Sequence, residues 1–190
     1  MAPRIAIELE QVRQLPLTHQ QEIPPEYLDE MNHMNVMWYT HLFDRGIYTT
    51  FDLMGIDDQY MEDHHSGSFA LESHIRYLSE IRVGHQASVY TRIVAVTAKR
   101  FQLMHFMVNE TKQDLAATFE VVVAYIDMQT RRMAVIPDDL AERIAQLASE
   151  HEALPWPSPP RSNPSQMTSL VRFPVWLSNL LEQSSARNSN

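Results

Sequence analysis

The fold is decided by residues 36–55, which read VMWYTHLFDRGIYTTFDLMG. Apolar side chains recur there at three- and four-residue steps, the spacing of one face of an α-helix. These side chains are Val36, Tyr39, Phe43, Ile47, Phe51 and Met54. Further apolar residues widen that face, so other structure should largely cover the helix. Gly55 follows directly, and glycine commonly ends helices. The pattern therefore predicts a long central helix.

The sequence around this helix has the two-residue period of β-strands. Val12, Leu15 and Leu17 suggest an early strand, and residues 57–67 read as a polar loop. Four further strands are predicted, at residues 69–77, 86–97, 101–108 and 115–127. Short turns between consecutive strands favour antiparallel pairing. One helix against such a sheet is an α+β architecture, and we predict a hotdog fold, with the helix wrapped by about five strands.

The carboxyl-terminal part divides into a helix and a tail. Pro137 and two aspartates after it predict the start of a last helix ending near His151. Five prolines then fall within residues 154–164, a composition typical of a linker. We predict a hotdog domain over residues 1–153, followed by a proline-rich linker and tail over residues 154–190. The tail is apolar enough at residues 171–181 to dock on a neighbouring surface.

Composition excludes several classes of function. The 190 residues include 24 acidic and 15 basic side chains, for a net charge of −9, and no Cys. The missing thiols exclude disulfides, thiolate zinc sites and a cysteine nucleophile. The negative charge argues against binding nucleic acid or an anionic membrane. No apolar run is long enough to span a membrane and no leader pattern is present, so we predict a cytoplasmic protein.

The segment before the helix, DEMNHMN at residues 29–35, is where chemistry is expected. Asn35 stands at the N-cap, and the first amides of a helix are unpaired and carry partial positive charge. Such amides can stabilise a carbonyl oxygen that becomes an oxyanion. Asp29, six residues earlier, can act as a general base on water or attack an acyl carbon. The alternative is structural: Asp29 ends a turn, Asn35 caps the helix, and Asn32 adopts a positive φ.

This segment, followed by Tyr39 and Phe43, resembles the signature of hotdog-fold acyl-CoA thioesterases of the 4-hydroxybenzoyl-CoA thioesterase type. It is more similar still to thioesterase domains linked to carnitine breakdown, thought to act on betainyl-CoA. Residues 68–78, SFALESHIRYL, and residues 99–102, KRFQ, carry that closer likeness. The resemblance covers about residues 26–139 and implies hydrolysis of an acyl-CoA thioester without a cofactor. One departure is Asn32, where the family usually has glycine.

The resemblance also implies roles for individual residues. Asp29 is the implied catalytic carboxylate, while His33 and Asn35 shape the loop and the helix start. Tyr39 is implied to line the acyl site. If the substrate carries a trimethylammonium group, Trp38 and Tyr39 can offer cation–π contacts worth roughly 0.5–2 kcal/mol.

Three further substrate-binding residues are predicted outside this segment. Glu72 shares a strand face with His74 and Arg76, so this face either meets solvent or forms a paired network near a ligand. Lys99 and Arg100 fall at a turn between strands. That turn is either an ordinary solvated one or, as the resemblance implies, a site for the phosphates of coenzyme A. No metal is expected, because His64 and His65 lack a third ligand at useful spacing.

Several alternatives remain open. The acyl group is betainyl, medium-chain or aromatic. A second class of function is a non-catalytic module that binds acyl-CoA, which Asn32 at the glycine position favours. A hydratase on the same fold would show a His-plus-Asp motif on another segment, and that motif is not seen here. An apolar edge strand predicts a homodimer or homotetramer.

Overall fold

The computed structural model describes residues 7–157. In chain order, its helices and strands are α1 (Leu9–Val12), β1 (Leu17–Glu22), α2 (Val36–Met54), α3 (Asp58–Asp63), β2 (Ser66–Tyr77), β3 (Gln86–Val96), β4 (Arg100–Asn109), β5 (Asp114–Asp127), β6 (Arg132–Met133) and α4 (Asp138–Glu152). A 3-10 turn at Pro25–Tyr27 lies between β1 and α2. Within this range, none of the helices is both long and apolar enough to cross a membrane.

One sheet contains the six strands, in the order β1-β3-β4-β5-β2, with β6 paired to β5. β1 runs antiparallel to β3, with an irregularity in register between Leu17 and His19. β2 does not pair with β3, which follows it in the chain, but lies at the sheet edge beside β5. The long helix α2 and this antiparallel sheet confirm the predicted α+β hotdog fold.

Chain contacts divide the protein into two compact units. Among the described residues, the first comprises residues 7–53, Ser73–Arg92 and Met104–Glu120, and the second comprises Met54–Glu72, Ile93–Leu103 and residues 121–157. In the first unit, α2 packs on the sheet through the fully buried Phe43. The Phe43 ring lies 5.1 Å from that of Phe119 on β5 and 6.1 Å from that of His105 on β4, measured between centroids. Part of the apolar face predicted for the helix therefore forms the core of this unit. Val36 and Tyr48 are 60% and 49% exposed, so other structure covers the helix less fully than predicted.

The second unit is built around α4. The helix buries one apolar side, formed by Leu140, Ala141, Ile144, Ala145 and Ala148. The Ile93 N–H donates to His151 Nδ1 at 2.9 Å, which ties the end of α4 to the start of the β3 segment in this unit. Gly55 adopts a φ of +87° directly after α2, as its predicted role as a helix stop requires.

Two local predictions were wrong. Val12 lies in α1 rather than in a strand, because Glu8 and Gln11 form a reciprocal capping box around this short helix. The predicted polar loop contains α3, whose first turn is capped by Asp57 Oδ1 accepting from the Tyr60 N–H at 2.7 Å. The predicted linker and tail, residues 154–190, lie outside the described residues except for residues 154–157, where Trp156 is buried.

Candidate active site

The loop before α2 is closed around the carboxylate of Asp29. Leu28 and Met34 form an antiparallel bridge at its base. Asp29 Oδ1 accepts hydrogen bonds from the N–H groups of Met31, at 2.9 Å, and His33, at 3.1 Å. Asp29 Oδ2 accepts none from the residues that the structure describes. One carboxylate oxygen therefore holds the loop, and the other remains available to a ligand or to water.

Asn32 forms the tip of this loop. Its φ is +60°, in the left-handed region, and its N–H donates to the Asp29 carbonyl oxygen at 3.1 Å. Asparagine tolerates this conformation better than most residues, and glycine adopts it without steric cost. The substitution of the family's glycine by Asn32 is therefore compatible with the backbone conformation of the loop.

Asn35 caps α2 as predicted. Its Oδ1 accepts from the Met37 N–H at 3.0 Å, and its carbonyl oxygen accepts from the Trp38 N–H at 2.9 Å. The Asn35 N–H donates to the Tyr27 carbonyl oxygen at 2.9 Å, which fixes the cap against the preceding 3-10 turn. Helix geometry leaves the N–H of Val36, the first helical residue, without a partner inside the helix. That amide is therefore the donor that the helix start can offer to a ligand.

The two aromatic residues that follow have different neighbours. The Trp38 ring stacks on that of Tyr27, with centroids 3.7 Å apart and planes inclined by 6°. Tyr39 is buried, donates its hydroxyl proton to the Ser79 carbonyl oxygen at 3.4 Å, and meets the Tyr77 ring edge-on at 5.1 Å. Burial raises the pKa of Tyr39 to about 12, so its phenol stays protonated at neutral pH. One face of Trp38 is thus covered by Tyr27, whereas the ring of Tyr39 is buried against Tyr77.

Glu80 holds the ring of His33. Its Oε2 lies 2.8 Å from His33 Nε2, while its Oε1 pairs with Arg82 at 2.9 Å and with Lys112 at 3.2 Å. The hydrogen bond from Lys112 is the main cause that lowers the pKa of Glu80. The sequence analysis missed Glu80, because two of its three partners, His33 and Lys112, come from distant segments of the chain.

The family follows from the match of this same region to known proteins. A family model described as the thioesterase-like superfamily matches residues 23–144. The chain belongs to the thioesterase-like superfamily. The resemblance seen in the sequence is thereby confirmed, as is the prediction of an enzyme of the thioesterase class at the level of the family.

Individual relatives agree with this thioesterase-like assignment. A betainyl-CoA thioesterase of Pseudomonas aeruginosa is 24% identical over 140 residues, which are 74% of this chain and 88% of that protein. An L-carnitine dehydrogenase/betainyl-CoA thioesterase of Agrobacterium fabrum is 26% identical over 134 residues. That match covers 70% of this chain but 27% of the relative, so the chain spans about a quarter of that longer protein. A hypothetical protein of Staphylococcus aureus, solved in complex with CoA, superimposes with a TM-score of 0.67 at 27% identity, covering 84% of this chain and 97% of that one.

In this thioesterase-like chain, the other three predicted substrate-binding residues lie in the second unit. Glu72 is exposed on the edge strand β2. Lys99 is exposed in the turn between β3 and β4, as predicted, and Arg100 begins β4 with its Nε 3.3 Å from Met133 Sδ. The structure thus brings Asp29, His33 and Asn35 together in one loop of the first unit. The roles of all eight predicted site residues stay predictions. Across residues 7–157, no group of three or more metal-ligating side chains is found.

A buried polar chain under α2 also escaped the sequence analysis. The Thr18 hydroxyl donates to the Val89 carbonyl oxygen at 3.1 Å, and its Oγ1 lies 2.8 Å from Thr91 Oγ1, which lies 2.7 Å from His105 Nδ1. Each hydroxyl has one proton. When the Thr18 proton goes to Val89, Thr91 donates to Thr18 and His105 Nδ1 donates to Thr91.

In this order of donors, the neutral ring of His105 carries its proton on Nδ1. Its Nε2 has no partner among the described residues. Complete burial lowers the pKa of His105 to about 3. The side chain therefore stays uncharged at every pH at which the enzyme is expected to work, and we assign it to the core and not to acid–base chemistry.

Proposed function

We propose that the chain hydrolyses an acyl-CoA thioester to a free acid and coenzyme A, at the loop that joins Asp29 to the start of α2. The observation that carries this proposal is the unequal use of the Asp29 carboxylate. Oδ1 is held by two backbone amides, whereas Oδ2 accepts none from the described residues. The two amides thus hold the loop around Oδ1, and Oδ2 is the oxygen proposed to act as the base or the nucleophile.

The helix start supplies the second element of the mechanism. The thioester carbonyl oxygen accepts a hydrogen bond from the Val36 N–H, where the partial positive charge of α2 stabilises the negative charge that develops. Asp29 Oδ2 either removes a proton from the attacking water or attacks the carbonyl carbon itself. In the second route, water hydrolyses the resulting anhydride. In both routes the C–S bond breaks, and the coenzyme A thiolate leaves and is protonated.

His33 and Asn35 serve this chemistry by shaping the site. The His33 N–H binds Asp29 Oδ1, and Asn35 sets the first turn of α2. We assign neither of them a proton-transfer step.

For the acyl group, we favour betainyl. Both curated relatives described above carry betainyl-CoA thioesterase in their names. The face of Trp38 opposite Tyr27 is the proposed cation–π contact, and Tyr39 and Glu72 are the further proposed substrate contacts. Lys99 and Arg100 are proposed to bind the phosphates of coenzyme A. A medium-chain or aromatic acyl group in an apolar site is the second candidate.

Hydrolysis of a small panel of esters tests both the reaction and the substrate. Betainyl-CoA, octanoyl-CoA and benzoyl-CoA are compared with detection of the free thiol. We expect thiol release from at least one ester, and a kcat/KM for betainyl-CoA at least about tenfold above the others, in line with one or two cation–π contacts. Equal rates for the three esters would end the betainyl proposal. Binding of all three without thiol release would favour the non-catalytic acyl-CoA-binding module.

We also propose that the chain acts as a homodimer or homotetramer in the cytoplasm. The edge strand β2 exposes Phe69, Leu71 and Tyr77, with 64%, 46% and 47% of their surfaces accessible. An edge strand of twelve residues that exposes these three apolar side chains can pair with a second copy. Light scattering is expected to give the mass of two or four chains, and the mass of a single chain would contradict the proposal.

A further inference from the structure

Glu80 gathers three partners on one carboxylate, although 32% of its side chain is exposed. Arg82 comes from its own turn, Lys112 from the turn before β5, and His33 from the Asp29 loop. The two cations both contact Oε1, which leaves Oε2 directed at the His33 ring. An exposed single ion pair contributes little, but several charges joined in a network hold their side chains in place more strongly. The arrangement is therefore suited to restrain the His33 ring.

His33 connects Glu80 to Asp29 through two different groups. Its ring Nε2 lies 2.8 Å from Glu80 Oε2, and its backbone N–H donates to Asp29 Oδ1 at 3.1 Å. The next residue, Met34, donates its N–H to the carbonyl oxygen of Ile81 at 2.9 Å. The segment that carries Glu80 therefore contacts the Asp29 loop at two consecutive residues, His33 and Met34. The first of them, His33, also binds the Asp29 carboxylate through its backbone N–H.

We propose that Glu80 is a positioning residue for the hydrolytic reaction: by holding the His33 ring, it keeps the Asp29 loop in the conformation that leaves Oδ2 aimed at the thioester. The inference rests on the proposed function of Asp29. Arg82 and Lys112 act indirectly, through Glu80, because they restrain its carboxylate and keep it charged. Small displacements of a reacting group can lower rates by up to about 100-fold, so a residue that touches no substrate can still control kcat.

Glu80→Ala is expected to lower kcat about tenfold while KM stays within about twofold. The bound substrate keeps its contacts, and only the orientation of the Asp29 carboxylate changes. Glu80→Gln should recover most of the rate, since its amide oxygen can still accept from the His33 ring. Glu142→Ala serves as the matched control, because Glu142 is an exposed glutamate on α4. That variant should match the wild-type chain in both constants.

A double-mutant cycle separates positioning from a general structural effect. His33→Ala and the double variant should have similar kcat values if Glu80 acts through His33. The inference would be overturned if the losses in kcat of the two single variants multiplied in the double variant. A rise in KM with unchanged kcat in Glu80→Ala would overturn it as well.

Hydrogen exchange gives a readout that does not depend on turnover. The amides of Met31 and His33 should exchange faster in Glu80→Ala than in the wild-type chain, and unchanged exchange would overturn the inference. If the wild-type chain hydrolyses no ester, the proposed function fails by itself, and exchange still decides whether Glu80 holds the loop.

Discussion

Asp29→Asn is expected to lower kcat for thioester hydrolysis by at least about 100-fold, the usual scale for removing a general base or a nucleophile. The asparagine Oδ1 can still accept from the amides of Met31 and His33, so the loop should keep its shape. The variant loses the negative charge of the carboxylate. The amide nitrogen that replaces Oδ2 can neither take a proton from water nor attack a carbonyl carbon. Thiol release under saturating ester measures the effect, and a thermal melt within a few degrees of wild type shows that the fold is retained.

Asp127→Asn is the matched control for this substitution. Asp127 also uses one oxygen, Oδ1, to accept from two backbone amides, those of Gln129 at 2.8 Å and Thr130 at 3.0 Å. It lies in the second unit, at the end of β5. We expect this variant to keep full activity. If Asp29→Asn retained more than half of the wild-type kcat, Asp29 would have to be removed from the mechanism.

The second large effect is a loss of stability in mild acid, caused by His105. The usual pKa of a histidine, 6.5, applies to the unfolded chain, whereas the folded chain holds the pKa of His105 at about 3. Below pH 6.5, His105 therefore binds a proton in the unfolded state but not in the folded state. The free energy of unfolding should fall by up to about 1.4 kcal/mol per pH unit between these two values. Urea unfolding should lose about 2 kcal/mol from this group between about pH 7.5 and pH 5.

The contribution of His105 must be separated from that of His19, whose pKa burial also lowers. His105→Asn keeps a donor close to the Nδ1 position, so Thr91 retains its partner, although the smaller side chain lowers stability at every pH. This variant should show a shallower dependence on pH than the wild-type chain. The ring resonances of His105 in the wild-type chain should also stay constant between about pH 8 and pH 5. An equal slope in both chains, or titration of His105 within that range, would refute the assignment.

The long helix and its start could be predicted because their signals are local. Nineteen residues with apolar steps of three and four define α2, and Asn35 and Gly55 are typical residues for its two ends. The short helices α1 and α3 could not be predicted in this way. They have four and six residues, and capping contacts rather than an apolar period mark them.

The same distinction separates the parts of the candidate site. Asp29, His33 and Asn35 lie within seven residues, so one segment of sequence shows them together. Glu80 meets Lys112 across 32 positions, and Thr18 meets Thr91 across 73. Such pairs depend on the strand order of the sheet. In that order, β2 lies at the edge beside β5 and not beside β3, which follows it in the chain. A single sequence contains no local pattern that reports these contacts.

The most direct test of the central claim is hydrogen exchange on the wild-type chain with and without a non-hydrolysable analogue of an acyl-CoA, in which a methylene group replaces the thioester sulfur and the carbonyl group is kept. If the carbonyl oxygen binds at the start of α2 beside Asp29, the Val36 amide and those of the loop should exchange more slowly in the complex. Binding of the analogue with protection confined to other segments, and none between residues 29 and 36, would contradict the account.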